Sequence, residues 1–154
     1  MNSGPNAAAA SVSSLLRGRM FIELNESLLV GYELIDQDHK LLATLVNEFY
    51  ETVTNGANKY KVYDAIDHLS NEFSQHFSRE NSLMTQSRYP DKESHAEEHR
   101  RLMGDLGRFL QMVDESTDDD LKNVAQFIES WFVLHVRRSD RKLGKFLSGR
   151  AAGA

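Results

Sequence analysis

Apolar residues recur at alternating spacings of three and four positions along four stretches of the chain. This period is typical of amphipathic helices that bury one face in a core. The four stretches run from Ile35 to Val53, from Val62 to Leu83, from His95 to Val113 and from Leu121 to Leu147. The pattern therefore predicts four helices.

Residues that end helices separate the four stretches. Asn55 and Gly56 follow the first stretch, residues 88–91 with their proline follow the second, and the acidic segment 114–120 follows the third. Asparagine and glycine favour helix termination, and proline disfavours a helical residue before it. Because short turns make successive helices antiparallel, we predict an all-α fold, an up-down-up-down antiparallel four-helix bundle with an extended N-terminal arm over residues 21–31.

The length of 154 residues suits one domain, and we assign the bundle to residues 21–148. Residues 1–20 are rich in alanine and serine and are expected to be a disordered extension, while residues 149–154 are expected to be a frayed tail. The N-terminal segment lacks the basic start of a secretory signal. No apolar run approaches the roughly 18 residues that a membrane span needs.

Composition excludes several kinds of function. The chain has no cysteine, which excludes disulfides, thiolate metal sites and cysteine nucleophiles and agrees with the cytoplasmic location that we expect. The net charge of −5 argues against a broad face that binds nucleic acid. We therefore expect neither a nucleic-acid partner nor a membrane span.

Seven ionisable residues occupy positions on the apolar faces where core residues are expected. They are His39, His76, Glu80, His95, His99, His135 and Asp140. An unpartnered buried polar group costs roughly 1–3 kcal/mol, so seven of them would together cancel a total stability of about 5–15 kcal/mol. These residues need one another, or a group bound between them.

The distances of these residues from the predicted turns put them at one level of the bundle. Residues equally far from the turn of an antiparallel hairpin lie side by side. His39 and His76 are nearly equidistant from the first turn, His76 and His99 from the second, and His99 and His135 from the third. The other members satisfy the same condition. Inward-facing imidazoles and carboxylates from four helices predict a metal centre.

The last pair in this set has an unusual spacing. Two pairs on the second and third helices are four residues apart, which places both members on one helix face. His135 and Asp140 are five residues apart, a spacing that a regular α-helix separates by about 140°. The apolar pattern slips by one residue at the same place. We therefore predict a π-bulge or local unwinding near residues 135–140.

The donor set limits the metal without identifying it. Mixed nitrogen and oxygen donors are compatible with zinc, iron and manganese. Seven ligands are too many for one six-coordinate ion, so we consider two ions with about twelve coordination positions. Five imidazoles, two bridging carboxylates and a bridging oxide or hydroxide leave about one position open for a small exogenous ligand.

The order and local spacing of the seven residues resemble those of the hemerythrins, with the pattern His39, His76-x-x-x-Glu80, His95-x-x-x-His99 and His135-x-x-x-x-Asp140. The flanking dipeptides Val30-Gly31, Tyr89-Pro90 and Leu143-Gly144 resemble the bacterial members. The resemblance covers about residues 21–148.

This resemblance implies two iron ions bridged by oxide or hydroxide. One iron would be held by His95, His99 and His135, the other by His39 and His76, and both carboxylates would bridge. The second iron would carry the open position, at which dioxygen binds reversibly. The expected function is oxygen transport, storage or delivery, without catalysis and with an unidentified protein recipient.

By the same resemblance, Trp131 and Phe132 are expected to line the oxygen pocket. Phe132 stands where bacterial members commonly have leucine, so its larger ring is expected to narrow access. Leu24 stands where a tryptophan is common in the N-terminal arm. Neither departure removes a ligand.

Two alternative functions stay open. A di-iron oxidase or peroxidase of ferritin-like type uses four glutamates and two histidines in paired Glu-x-x-His motifs. The five histidines and two carboxylates of this chain disfavour that class, and we do not expect an enzyme. A sensor would instead couple oxygen or redox state to a partner-binding surface.

Overall fold

The structure is a computed structural model of the chain and describes residues 22–23 and 26–152, with side chains to residue 149. The extension predicted for residues 1–20, and Leu24 in the arm, lie outside the described residues. Among the described residues, no helix is both long enough and apolar enough to cross a lipid bilayer.

The predicted four-helix bundle is confirmed. Its helices are α1 (Glu33–Thr54), α2 (Lys59–Ser87), α3 (Lys92–Met112) and a fourth that consists of α4 (Asp118–His135), a π-helical segment (Val136–Asp140) and α5 (Arg141–Ala152). α1 packs against α2 and α4, and α2 packs against α3. α5 extends into residues 149–152, which were predicted as part of the tail.

The helix ends lie at the predicted turns. Asn55 follows α1, and Arg88 ends α2 in a left-handed conformation with φ of 56°. Thr117 and Asp120 form a capping box at the start of α4, in which each side chain accepts a hydrogen bond from the backbone of the other. These caps satisfy backbone groups that the helices leave unpaired.

The apolar faces meet in a core that includes Phe49, Ile66, Leu106 and Ile128, each at most 1% exposed. Between Leu121 and Ile128 on α4, Ala125 is buried, whereas Val124 is only partly buried and packs against the edge of the core.

The N-terminal arm runs against the bundle and is not extended throughout, because residues Glu26–Leu28 form a short 3₁₀ turn. Asp36 accepts hydrogen bonds from the backbone N–H groups of Val30 (2.8 Å) and Gly31. The backbone of Val30 lies directly on Gly144, where an added Cβ would lie 2.9 Å from Val30 Cβ. The absence of a side chain at Gly144 therefore allows the arm to pack against α5.

Candidate metal centre

All seven residues singled out by the sequence lie together in the bundle interior, and each is at most 5% exposed. Their potential ligand atoms form two overlapping groups, each with all atoms within 4.8 Å of one another. The first group consists of Glu80, His95, His99, His135 and Asp140, and the second of His39, His76, Glu80 and Asp140. The two carboxylates thus belong to both groups.

The π-helical segment Val136–Asp140 confirms the predicted break in α-helical geometry. Hydrogen bonds in a π-helix connect residues five apart, so a residue five positions along turns back to the same side of the helix. His135 and Asp140 consequently point together, with His135 Nε2 2.9 Å from Asp140 Oδ1.

The first group surrounds one point with three imidazole nitrogens and two carboxylate oxygens, and we call it the three-imidazole half. His95 Nε2 and His99 Nε2 lie 3.0 and 3.1 Å from Glu80 Oε2. His95 Nε2 is also 3.0 Å from Asp140 Oδ1. His99 Nε2 and His135 Nε2 lie 3.1 Å apart.

The second group, the two-imidazole half, uses the remaining carboxylate oxygens. His39 Nε2 lies 2.9 Å from Asp140 Oδ2, and His76 Nε2 lies 3.2 Å from Glu80 Oε1. Each carboxylate therefore directs one oxygen into each half. This arrangement would allow both carboxylates to bridge two metal ions.

The cluster carries buried polar atoms that the protein itself does not satisfy. Among the described residues, those without a hydrogen-bond partner include Nε2 of His39 and His76, Oε1 of Glu80 and both carboxylate oxygens of Asp140. Several lie about 3 Å from a neighbouring donor atom without hydrogen-bond geometry. Buried polar groups are normally paired. Converging nitrogen and oxygen atoms that lack hydrogen-bond partners suit metal ions that take mixed N and O ligands.

Electrostatics couples the imidazoles to the shared carboxylates. Burial lowers the pKa of His95, but the carboxylates of Asp140 and Glu80, each with an oxygen 3.0 Å from Nε2, outweigh burial and raise the pKa from 6.5 to about 9. Burial also lowers the pKa of His135, but the nearby charge of Asp140 and the hydrogen bond to Glu98 raise it to about 10. Burial raises the pKa of Asp140, but the neighbouring histidines hold it well below its usual range. A metal ion would replace the protons on these imidazoles as the positive charge of the cluster.

Two carboxylates outside the predicted set accept hydrogen bonds from imidazole nitrogens on the side of the ring that faces away from the cluster. His76 Nδ1 donates to Asp38 Oδ2 at 2.9 Å, and Arg79 binds both oxygens of Asp38 at 2.7 and 2.8 Å. Burial raises the pKa of Asp38, but hydrogen bonds to His76 and Arg79 lower it from 3.8 to about 2. Asp38 is therefore ionised at neutral pH.

The second supporting carboxylate is Glu98. His135 Nδ1 donates to Glu98 Oε2 at 2.5 Å, and Ser139 Oγ donates to the same oxygen at 2.7 Å. The hydrogen bond from His135 lowers the pKa of Glu98 to about 2 despite partial burial. Neither carboxylate was predicted from the sequence, although each directly precedes a histidine of the cluster. Each serves a histidine on another helix, which local spacing does not indicate.

Aromatic rings enclose the two halves differently. Phe77 stacks on His99 with centroids 3.8 Å apart, and Trp131 stacks on His135 at 4.5 Å. Phe132 instead meets His39 edge-on at 5.6 Å. Trp131 and Phe132, expected to share an oxygen pocket, therefore contact different halves of the cluster.

Comparisons with known proteins find hemerythrins by sequence and by structure. A family model described as the hemerythrin HHE cation binding domain matches residues 30–147. A bacteriohemerythrin of Methylococcus capsulatus is 26% identical over 113 residues, which cover 73% of this chain and 86% of the relative. Myohemerythrin-1 of Phascolopsis gouldii is 25% identical over 118 residues, covering 77% and 87%. The crystal structure of wild-type hemerythrin has the same fold, with a TM-score of 0.70, 24% identity and coverage of 77% and 91%.

Proposed function

Because the chain belongs to the hemerythrin HHE cation-binding family, we propose that it binds dioxygen reversibly at a non-haem di-iron centre. The observation that carries this proposal is the division of two carboxylates between two groups of imidazoles, with one oxygen of each carboxylate in each group. A donor set of this kind suits a pair of ions that share ligands.

The proposed ligands follow the two halves of the cluster. His95, His99 and His135 would hold one iron, His39 and His76 the other, and Glu80 and Asp140 would bridge them. The choice of iron rests on the family, because the donor atoms alone are also compatible with zinc and manganese. When bound, the iron pair would supply the electrons that reversible dioxygen binding requires.

The two-imidazole half is the proposed side for dioxygen, since it offers one protein nitrogen fewer than the other half. Phe132 meets His39 edge-on in this region and packs against Phe73 with ring centroids 6.0 Å apart, and both phenylalanines are 1% exposed. Their apolar surfaces would exclude water and slow the arrival of protons. Slow proton arrival favours release of the gas over irreversible oxidation of the centre.

We propose an oxygen carrier, store or local supplier in preference to an enzyme. The relatives bear the names bacteriohemerythrin and myohemerythrin. The donor set is rich in neutral imidazoles and poor in carboxylates compared with ferritin-like di-iron oxidases. Fewer anionic ligands give less support to the oxidised metal states that substrate oxidation requires.

The test is a visible absorption spectrum of iron-quantified protein that is reduced without oxygen, exposed to oxygen and then purged. We expect two irons per chain and a colour that appears with oxygen, leaves on purging and returns over repeated cycles. Colour that forms once and is not reversible would contradict the carrier proposal and favour a redox enzyme or sensor. Absence of bound iron would overturn the metal centre itself.

A matched pair of histidine variants tests whether the colour depends on the buried cluster or on any histidine of the chain. His99→Ala removes a buried member of the cluster, whereas His68→Ala removes a histidine on α2 that is 62% exposed and lies 3.8 Å from Glu72. The proposal expects the reversible colour to be lost in the first variant and kept in the second. Equal spectra in the two variants would contradict the assignment.

A further inference from the structure

We propose that Asp38 and Glu98 are positioning residues that fix which ring nitrogen of His76 and of His135 faces the metal centre. This inference rests on the proposed function only in requiring that the cluster binds metal ions. It does not depend on whether dioxygen binds reversibly.

A histidine that binds a metal must present a nitrogen without a proton. A neutral imidazole carries its single proton on either nitrogen, and the hydrogen bond made by the opposite nitrogen selects which one. The acceptor for His76 Nδ1 is Asp38 Oδ2, 2.9 Å away, while His76 Nε2 points at Glu80. Both oxygens of Asp38 accept from Arg79, so the carboxylate can only accept from His76 as well; in the neutral ring the proton then lies on Nδ1 and the lone pair of Nε2 faces the cluster.

Asp38 is itself held in place. The guanidinium of Arg79 donates from Nε to Oδ2 and from its terminal nitrogen to Oδ1, a paired arrangement that fixes the plane of the carboxylate. Asp38 lies on α1, whereas Arg79 and His76 lie one turn apart on α2. The pair therefore ties the orientation of a buried imidazole to the packing of these two helices.

Glu98, on α3, positions the ring of His135 in the same way. It accepts from His135 Nδ1 and from Ser139 Oγ at one oxygen. Ser139 lies in the π-helical segment, as does Asp140. The π-helical segment thus supplies a carboxylate to the cluster and a hydroxyl that holds Glu98 in place.

The distribution of these supports is specific. Among the described residues, Nδ1 of His39, His95 and His99 is buried without a hydrogen-bond partner. Two of the five imidazoles therefore have a carboxylate behind them, one in each half of the cluster. A carboxylate in this position raises the basicity of the ligand nitrogen as well as fixing its direction.

The test measures the dissociation constant for Fe²⁺ without oxygen, by competition with a chromogenic chelator, for the full chain and its variants. Asp38→Leu and Glu98→Leu remove the acceptor, and each is expected to weaken Fe²⁺ binding by roughly 10–100-fold, which is typical for lost support of a metal-binding histidine. Asp38→Asn and Glu98→Gln retain a carbonyl acceptor and are expected to recover most of the affinity.

Glu97→Leu is the matched control. Glu97 precedes Glu98 on α3, has the same 45% side-chain exposure and pairs with Arg100 at the surface instead of with the cluster. Its replacement is expected to leave Fe²⁺ affinity unchanged. Equal losses in Glu97→Leu and Glu98→Leu would overturn the positioning role of Glu98, and unchanged affinity in Asp38→Leu would overturn that of Asp38.

A second readout separates positioning from general stabilisation. Nitrogen-15 histidine spectra of the Zn²⁺-loaded chain are expected to show protonated Nδ1 and metal-bound Nε2 for His76 and His135. The leucine variants should lose the strongly hydrogen-bonded Nδ1 proton signal, and the amide variants should restore it. Persistence of the signal in the leucine variants would overturn the inference.

These measurements also distinguish failure of the inference from failure of the proposed function. If the unmodified chain binds two ions but shows no reversible colour with oxygen, the carrier proposal fails and the positioning roles stand. If the unmodified chain binds no metal ion, both are overturned.

Discussion

The two halves of the cluster share their carboxylates but differ in the number of imidazoles and in the aromatic rings that pack against them. In the three-imidazole half, two histidine rings lie flat against Phe77 and Trp131, with interplanar angles of 11° and 14°. In the two-imidazole half, His39 meets the edge of Phe132 at 85°. One half has three imidazoles, and aromatic rings stack on two of them. The other has fewer donors and an apolar edge beside them. Under the proposed function, this difference would divide holding the metal from admitting a small ligand.

The largest loss of bound iron is expected from removing a carboxylate that the two halves share. Asp140→Ala takes one oxygen from each half and removes the carboxylate that lies 2.9 Å from Nε2 of both His39 and His135. We expect iron content to fall from two ions per chain to nearly none, measured by metal analysis of reconstituted protein. Asp119→Ala, at an exposed position in the first turn of α4, is the control and should retain both ions. Full iron content in Asp140→Ala would show that the halves are independent.

A smaller effect is expected from damaging one half. His39→Ala removes one of the two imidazoles on that side while the three-imidazole half keeps all of its nitrogens. We expect about one iron per chain, because a site with three imidazoles retains its ion more strongly than a site with one. Metal analysis after dialysis against a weak chelator measures this difference. Loss of both ions at equal rates would contradict the proposed asymmetry.

The smallest effect is expected from opening the apolar edge. Phe132→Leu shortens a side chain that is 1% exposed, so we expect faster dioxygen release in stopped-flow measurements and a loss of stability on the order of 1 kcal/mol. Phe109→Leu, in a partly buried ring that packs on Phe127 away from the cluster, is the control for stability alone. Unchanged release in Phe132→Leu would remove Phe132 from the ligand path.

Much of the fold was predictable because periodicity and turn residues act locally. The apolar stripes predicted four helices, and Asn55, Pro90 and the acidic segment 114–120 marked the turns between them. The seven polar residues are nearly equal numbers of positions from those turns, which predicted that they share one level of the bundle. All seven lie together in the structure. The five-residue spacing of His135 and Asp140 predicted the π-helical segment. That the seven residues bind iron stays a prediction.

Other features depend on which helices become neighbours and at what rotation. Asp38 precedes His39 in sequence but serves His76 on α2, and Glu98 precedes His99 but serves His135. Trp131 and Phe132 are adjacent in sequence yet contact different halves, because successive residues point in directions about 100° apart on a helix. No spacing within one helix reveals such partners.

The sequence by itself thus determined the helices, their turns and the seven polar residues at one level, because hydrophobic period and chain-breaking residues operate within a few positions. Only the tertiary structure decided how the seven divide into two unequal halves, which carboxylates stand behind His76 and His135, and why Gly144 must lack a side chain beneath Val30. These features arise from contacts between helices, and side-chain directions across a packed interface are fixed only when all four helices are in place.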